Sequence, residues 1–164
     1  MRKYNNFALL GRDMKSKMQQ DLDRLNSITQ YSVKYGIPRG KETEDGESIA
    51  MIGKWNDYGT EKTPARPWLS TINFRYKNKI YSDIKKALNT IKSRDNLREG
   101  EVQAVLEKYI SLSLINYMKD NILNGQWTAN SPTTIKTKKS SKPLIDEGNM
   151  LASVNSFAKK RIKW

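Results

Sequence analysis

The chain offers few side chains for chemistry, because its 164 residues include no cysteine and no histidine. Disulfides, thiolate zinc sites, cysteine nucleophiles, histidine bases and Ser-His triads are therefore excluded. Carboxylates are the main candidates that remain: Asp57 and Glu61 flank Gly59, and Asp146 is followed by Glu147. A metal nuclease needs several acidic groups that converge on one cation. These pairs lack that spacing, so we predict no catalytic residue, no metal site, no cofactor and no enzymatic activity.

The second chemical feature is positive charge, since 30 Lys and Arg stand against 17 Asp and Glu, a net charge of +13. Such a field favours a polyanionic partner, either nucleic acid or an acidic protein. A general bias of the composition towards lysine is the alternative, and the scatter of the lysines along the chain weakens the case for a dedicated DNA-binding arm. The densest group is the candidate DNA-facing set: Lys136, Lys138, Lys139 and Lys142.

The length of the chain predicts one domain over residues 1–164. Its apolar runs are only a few residues long, whereas a membrane-spanning helix needs about 20 apolar residues. The apolar stretch near the N-terminus is also too short for a signal peptide. We therefore expect no membrane association and a cytoplasmic origin.

The elements that must position these residues begin with two clear periodicities. Residues 12–25 carry an apolar stripe at helical spacing, which predicts an amphipathic helix. Its members are Met14, Met18, Leu22 and Leu25. Residues 31–37 alternate apolar and polar side chains, which predicts a strand with one buried face. The charged residues 39–47 follow, and they predict an exposed, mobile loop.

Residues 48–58 predict a short helix with Ser48 at its start and Gly59 past its end, although a strand over 48–52 is an alternative. After a turn at 60–65, Pro67 suits the first turn of a long helix that extends to about Ile91.

A second long helix is predicted over residues 101–123. Residues 126–142 are rich in Thr, Ser and Lys and predict a long, mobile loop whose start is anchored by Trp127. Asp146 is expected to cap a short helix that ends near Val154, and Ile162 and Trp164 fit an edge strand.

The aromatic residues and Arg66 each allow two interpretations. Aromatics interleaved with basic residues suit base stacking, but most of these aromatics lie on or beside apolar stripes, which favours core packing. Arg66 stands between Ala65 and Pro67 in a rigid turn. Rigid presentation suits a bidentate bond to a carboxylate or to backbone carbonyls of a partner. The alternative is an internal tie from Arg66 to Asp57 or Glu61.

Two segments of the sequence resemble a known family. The first is IAMIGKWNDYGTEKTPARPWL at 49–69, an apolar helix, an aromatic-Gly-Thr turn and a Pro-Ala-Arg-Pro start. The second is GQWTANSPTTIKTKKSSKPLIDEGNMLASV at 125–154. In this order and spacing they resemble the tail-completion proteins (virion morphogenesis, minor tail or neck proteins) of tailed bacteriophages. Glu147 and Met150 depart from the more usual Thr and Leu.

The resemblance implies an α+β fold, in which a small antiparallel sheet packs against two long helices, with extended loops. It also implies a homo-oligomeric ring, hexameric or dodecameric, at the head–tail junction of a virion assembled in the host cytoplasm. Its partners would be the head connector, the tail tube or terminator, and genomic DNA in transient, non-specific contact. The candidate subunit-interface residues are Trp55, Asp57, Tyr58, Gly59, Thr60, Pro64, Arg66, Pro67 and Trp127.

Two alternatives to this function stay open. The first is a tail terminator that caps the tail tube, and the second is a basic protein that binds DNA without sequence specificity. The latter predicts an affinity that falls steeply with salt.

Overall fold

The structure is a computed structural model that describes residues 4–94, 98–138, 141–146 and 148–161, with side chains described from residue 14 onwards except that of residue 99. The elements in chain order are α1 (Tyr4–Thr29), β1 (Tyr31–Gly36), α2 (Ile49–Tyr58), α3 (Ile72–Arg75), α4 (Lys77–Lys92), α5 (Glu99–Leu106), a π-helical turn (Glu107–Ser111), α6 (Leu112–Asn124), α7 (Pro132–Lys138), α8 (Asn149–Ser153) and β2 (Asn155–Lys160).

The sheet joins two segments from opposite ends of the chain. β1 and β2 pair antiparallel, in a register that runs from Tyr31 opposite Lys160 to Gly36 opposite Asn155. β1 forms where the alternation predicted it, because its apolar side chains face the helices. Together with the helices, this sheet confirms the α+β class.

Helices α4, α5 and α6 pack against the sheet and enclose two apolar clusters. One cluster lies between the sheet, α2, α6 and α8 and consists of Ile49, Trp68, Ile72, Leu114, Met118, Ile122, Met150 and Val154. The other lies between the sheet, α4 and α5 and consists of Tyr31, Ala87, Ile91, Val102, Val105, Leu106 and Ala158. The two segments predicted as long helices, from Pro67 to Ile91 and over residues 101–123, contribute ten of the fifteen residues named in these two clusters.

Three helix boundaries differ from the prediction. The helix expected to start at Pro67 begins only at Ile72, because residues 68–71 form turns. It is also interrupted at Tyr76, which separates α3 from α4. The predicted loop at 126–142 contains α7. The cap expected at Asp146 is instead Gly148, whose φ of +81° suits glycine.

Other predictions for the elements are confirmed or lie outside the described residues. α2 has Ser48 at its N-cap and Gly59 at its C-cap, as predicted, so the alternative of a strand at 48–52 is wrong. The edge strand proposed at Ile162 and Trp164 lies outside the described residues, and β2 ends just before it.

Helix α1 contacts the rest of the described fold mainly through α4 and β1. Its attached face holds Arg24, which donates to Asp21 and to the carbonyl of Lys92, and Ile28, which packs against the second apolar cluster. The stripe predicted at residues 14–25 lies on another face, and all four of its side chains are exposed. None of the helices in the described ranges has both the length and the apolar character that crossing a lipid bilayer requires.

Candidate functional site

Arg66 is the centre of the contacts that hold the two motif segments together. Its side chain is 5% exposed, and Nε donates to the carbonyl of Thr128 at 2.9 Å. Nη2 donates to the carbonyl of Ala129 at 3.3 Å and to Oδ1 of Asn130 at 3.0 Å. Nη1 reaches Oδ1 of Asn56 at 3.4 Å. Burial lowers the pKa of Arg66 below its ordinary value. The guanidinium is therefore a fork that joins the first motif to the segment after Trp127.

This geometry corrects the partner expected for an internal tie. The acceptors are backbone carbonyls and amide oxygens, rather than Asp57 or Glu61. The planar guanidinium carries five N–H donors, so it can bind several carbonyl groups at once. Neutral acceptors also avoid the cost of burying a second charge. The prediction of carbonyl acceptors was correct in chemistry, but the carbonyls belong to the same chain.

Asp57 has an equally local role. Its buried carboxylate accepts from the backbone N–H groups of Leu69 at 2.7 Å and Ser70 at 3.1 Å. These bonds fix the turn that follows Pro67 and precedes α3. Asp57 and Arg66 thus make these hydrogen bonds within the chain. Among the described residues, no group of three acidic, His or Cys side chains is arranged to hold a metal ion.

The turn between α2 and Arg66 is a tight, positive-φ structure. Gly59 has a φ of +78°, and a Cβ on it would lie 2.8 Å from the backbone nitrogen of Ala65. Thr60 and Thr63 exchange backbone hydrogen bonds across the turn. The backbone N–H of Arg66 donates to the carbonyl of Asn56 at 2.7 Å. The turn therefore aims Arg66 back along α2 towards the second motif.

Two aromatic side chains of the candidate interface point into solvent. Trp55 is 46% exposed and Tyr58 is 72% exposed, although both lie on a helix with a buried face. Core packing, the interpretation favoured from the sequence, does not hold for these two residues. It holds for Trp68, which is almost fully buried and whose Nε1 donates to the carbonyl of Gly53 at 2.9 Å.

A cleft of about 470 Å³ lies beside Trp55 and Arg66, between the loop before α2, the turn at 62–64, α7 and the segment that precedes α8. Its apolar lining comes from Ile49, Ile52, Trp55, Leu144 and Met150, and its charged lining from Asp45, Glu47, Lys62, Lys138 and Asp146. The cleft has an apolar floor and a rim of both charges, a composition that suits a peptide segment better than a nucleic acid backbone.

Trp127 pins the start of the segment at 126–142, as the sequence suggested. Its Nε1 donates to the carbonyl of Asn121 at 3.1 Å, and the guanidinium carbon of Arg75 lies 4.9 Å from its ring centroid. Asn121 is itself buried and also donates to the carbonyl of Trp68 at 2.6 Å. Sequence reasoning missed Asn121, because an amide within a helix carries no positional signal.

The candidate DNA-facing lysines that the structure describes all have exposed side chains. Lys136 and Lys138 lie on α7 with exposed side chains, and Lys138 forms an ion pair with Asp146 at 3.2 Å. Lys142 is exposed after α7, and its carbonyl accepts from Asn130. Lys139 lies outside the described residues.

A stacked pair of tyrosines, also missed from the sequence, joins the start of α4 to α6. The ring centroids of Tyr76 and Tyr117 are 4.8 Å apart. Tyr76 donates to Asp120 at 2.7 Å and Tyr117 donates to Asp83 at 2.6 Å. Burial, reinforced by these bonds, raises the pKa of each tyrosine to about 12. The hydrogen bond from Tyr76 has the opposite effect on its acceptor and lowers the pKa of Asp120.

Comparisons of the chain with protein-family models, with curated proteins and with solved structures gave no match.

Proposed function

We propose that this chain is a structural subunit of a tailed-phage virion, forming a homo-oligomeric ring at the head–tail junction that joins the head connector to the tail. The observation that carries the proposal is the union of the two motif segments. Residues about 60 positions apart meet at Arg66, which binds the carbonyls of Thr128 and Ala129. Segments that resemble one family in sequence thus also form one structural unit, which chance similarity of two separate stretches does not predict.

The surface of this unit supports an interaction role. Trp55 is exposed beside the cleft, and Tyr58 is exposed near the C-terminal end of the same helix. Exposed aromatic side chains are enriched where proteins bind each other. The described polar side chains at the centre of the unit, Asp57 and Arg66, are occupied by hydrogen bonds to backbone groups. These two side chains therefore hold the unit together, and its exposed aromatic side chains remain available for a partner.

The test is removal of the gene from the phage or prophage genome that encodes the chain, followed by negative-stain electron microscopy of the lysate. We expect full heads separate from finished tails. Abnormally long tails would assign the chain to the terminator that caps the tube. Joined, infectious particles would overturn the structural role and favour the DNA-binding alternative.

Complementation sharpens this experiment. A plasmid copy with Trp55→Ala and Tyr58→Ala should fold but fail to restore joined particles, because the exposed aromatics of the motif surface are removed. The matched control is Phe74→Ala, which removes an exposed aromatic from α3, away from the cleft. Rescue by the double variant as efficient as rescue by the control would show that this surface has no part in assembly.

A further inference from the structure

The charges on the rim of the cleft indicate what it binds. Lys138 and Asp146 form an ion pair with each other at 3.2 Å. Asp45 and Glu47 lie together on the loop before α2, both are exposed, and neither forms an ion pair with another described side chain. Lys62 lies on a different wall, at the turn 62–64. One wall of the cleft is therefore acidic, and it suits a segment that carries cations beside apolar side chains.

Backbone hydrogen bonds hold this acidic wall in place. The N–H of Thr43 donates to the carbonyl of Glu47 at 2.9 Å, and the N–H of Gly46 donates to the carbonyl of Thr43 at 3.0 Å. The N–H of Ile49 donates to the carbonyl of Lys41 at 3.0 Å, which closes residues 41–49 into a small hairpin. The wall is thus part of the folded chain and does not require an occupant to form it.

The segment that follows β2 has the matching composition. Residues 161–164 read Arg-Ile-Lys-Trp, so cationic and apolar side chains alternate. Successive side chains of an extended chain point to opposite faces. Ile162 and Trp164 therefore share one face of an extended segment, and Arg161 and Lys163 share the other. The apolar face matches the apolar floor of the cleft, and the cationic face matches its acidic wall.

The sheet directs this segment away from the cleft of its own chain. The N–H of Arg161 donates to the carbonyl of Gln30 at 2.6 Å, so strand pairing continues beyond β2. This end of the sheet packs on the cluster with α4 and α5, whereas Ile49 and Met150 of the cleft belong to the other cluster. Six residues of strand span about 20 Å, whereas residues 162–164 extend by at most about 10 Å. These three residues are too short to turn back past the sheet.

We propose that the cleft binds residues 161–164 of a second copy of this chain, with Ile162 and Trp164 on its apolar floor. The contact is heterologous, because a cleft on one copy meets a strand end of the next, and such contacts generate rings when the rotation closes. The inference rests on the proposed function for the closure of the ring, whereas the contact itself is argued from the cleft and the segment.

The first test measures this contact with a fluorescent peptide of residues 159–164. The receptor is the full chain with Ile162→Ser and Trp164→Ser, so that its own copies do not compete for the cleft. Fluorescence anisotropy should rise to saturation as the receptor is added. A peptide with serine at both apolar positions should bind about 100-fold more weakly or worse, because it buries no large apolar side chain.

Charge reversal on the receptor tests the acidic wall. Asp45→Lys with Glu47→Lys should weaken binding of the peptide by about 10-fold, because cations then face cations. The matched control is Glu42→Lys with Glu44→Lys, which makes the same change of charge on the same loop at positions outside the lining of the cleft. The control should lose much less affinity, and equal losses would mean that the peptide senses only the overall field.

The second test uses mixing to establish that the contact is heterologous. In sedimentation velocity the wild type should form oligomers, whereas the chain with both serines and the chain with Asp45→Lys and Glu47→Lys should each be monomeric. An equimolar mixture of the two variants should form dimers, because one intact segment and one intact cleft remain. A mixture that stays monomeric, or a wild type that is monomeric at every concentration, overturns the proposal.

Two results of the peptide experiment would also overturn it. One is the absence of saturable binding. The other is tighter binding of a peptide of residues 1–10, which is also basic and apolar and would assign the cleft to the opposite end of the chain. Neither result decides the proposed function, because removal of the gene tests the need for the chain in joined particles whichever segment the cleft binds.

Discussion

At the scale of single residues, Arg66 shows how one side chain can unite distant segments. It has no carboxylate partner within hydrogen-bond distance among the described residues, and it uses three donor atoms on acceptors at 56, 128, 129 and 130. Hydrogen bonds from a charged donor contribute more than neutral ones, and buried carbonyls left unpaired are costly. The residue type is therefore required by geometry, since a lysine ammonium cannot reach the same set of acceptors as a planar fork.

Arg66→Ala should lower the free energy of unfolding by about 2–4 kcal/mol, because the carbonyls of Thr128 and Ala129 and the amide oxygen of Asn130 lose a charged hydrogen-bond donor. For a chain of this size the melting temperature should fall by about 4–16 °C. Urea denaturation followed by tryptophan fluorescence measures the change. Arg66→Lys should lie between the wild type and the alanine variant. An alanine variant as stable as the wild type, but unable to assemble, would place Arg66 at the subunit interface instead.

The glycine at the turn gives a second prediction with an internal control. Gly59 and Gly40 both have positive φ, but only at Gly59 would a Cβ meet backbone atoms. Gly40→Ala should cost about 1 kcal/mol of unfolding free energy from backbone strain alone. Gly59→Ala should cost about 3 kcal/mol or more, because steric overlap with Ala65 is added. Equal losses in the two variants, measured by urea denaturation, would contradict this account of the turn.

At the scale of elements, the success of sequence reasoning followed the size of the buried side chains. β1 and the two long helices place large apolar residues at regular spacing, and all three were predicted. β2 was missed because its buried positions hold Ser156 and Ala158, while Phe157 between them is 42% exposed. Its pattern is therefore polar or small on the inside and apolar on the outside. α7 was missed because none of its residues is buried.

The candidate site was predicted in composition more than in contacts. The motif residues 55–67 and Trp127 do assemble in one region, but nothing in the sequence assigned Arg66 to the carbonyls of residues 128 and 129. Such pairings depend on how α2 and the later segment are packed by the core, which local patterns do not specify. For the same reason, the stripe of α1 was recognisable as apolar but not as exposed.

The tyrosine pair that joins α4 to α6 makes stability depend on alkaline pH. The folded chain retains the phenol protons of Tyr76 and Tyr117 up to a pKa of about 12, whereas the unfolded chain releases them near 10. Between these values the folded state binds more protons than the unfolded state. The contribution of the two tyrosines to the free energy of unfolding is therefore fully present below about pH 10 and is lost as the pH rises towards 12. Tyr117→Phe should flatten this fall.

Urea denaturation at a series of pH values from 9 to 11.5 measures the effect, roughly spanning the window in which the two states differ in proton content. The control is Tyr58→Phe, which alters a tyrosine that projects into solvent. If both variants show the same alkaline slope as the wild type, the stacked phenols of Tyr76 and Tyr117 do not control the pH dependence.

At the scale of the whole molecule, the net charge of +13 and the candidate DNA-facing lysines predict different modes of DNA binding. A diffuse field gives weak, sequence-independent binding to which any exposed lysine contributes. A dedicated DNA-facing segment concentrates the phosphate contacts on a few side chains. Both modes predict that DNA is bound. They differ in how the affinity for DNA changes when lysines are replaced at defined positions.

Replacing Lys136, Lys138 and Lys142 by Gln lowers the net charge from +13 to +10, and so does replacing the exposed Lys54, Lys85 and Lys119. If the segment around α7 faces DNA, the changes at Lys136, Lys138 and Lys142 should make the slope of log affinity against log salt less steep. The decrease in steepness should be about 0.9 for each phosphate that is no longer neutralised. The changes at Lys54, Lys85 and Lys119 should alter the slope little. Fluorescence anisotropy with labelled duplex DNA over a range of salt concentrations measures both slopes. Because Lys138 is paired with Asp146, its contribution should be smaller than that of Lys136. Equal reductions in the two sets would mean that the DNA affinity belongs to the overall field of the molecule and that the segment around α7 has no special role.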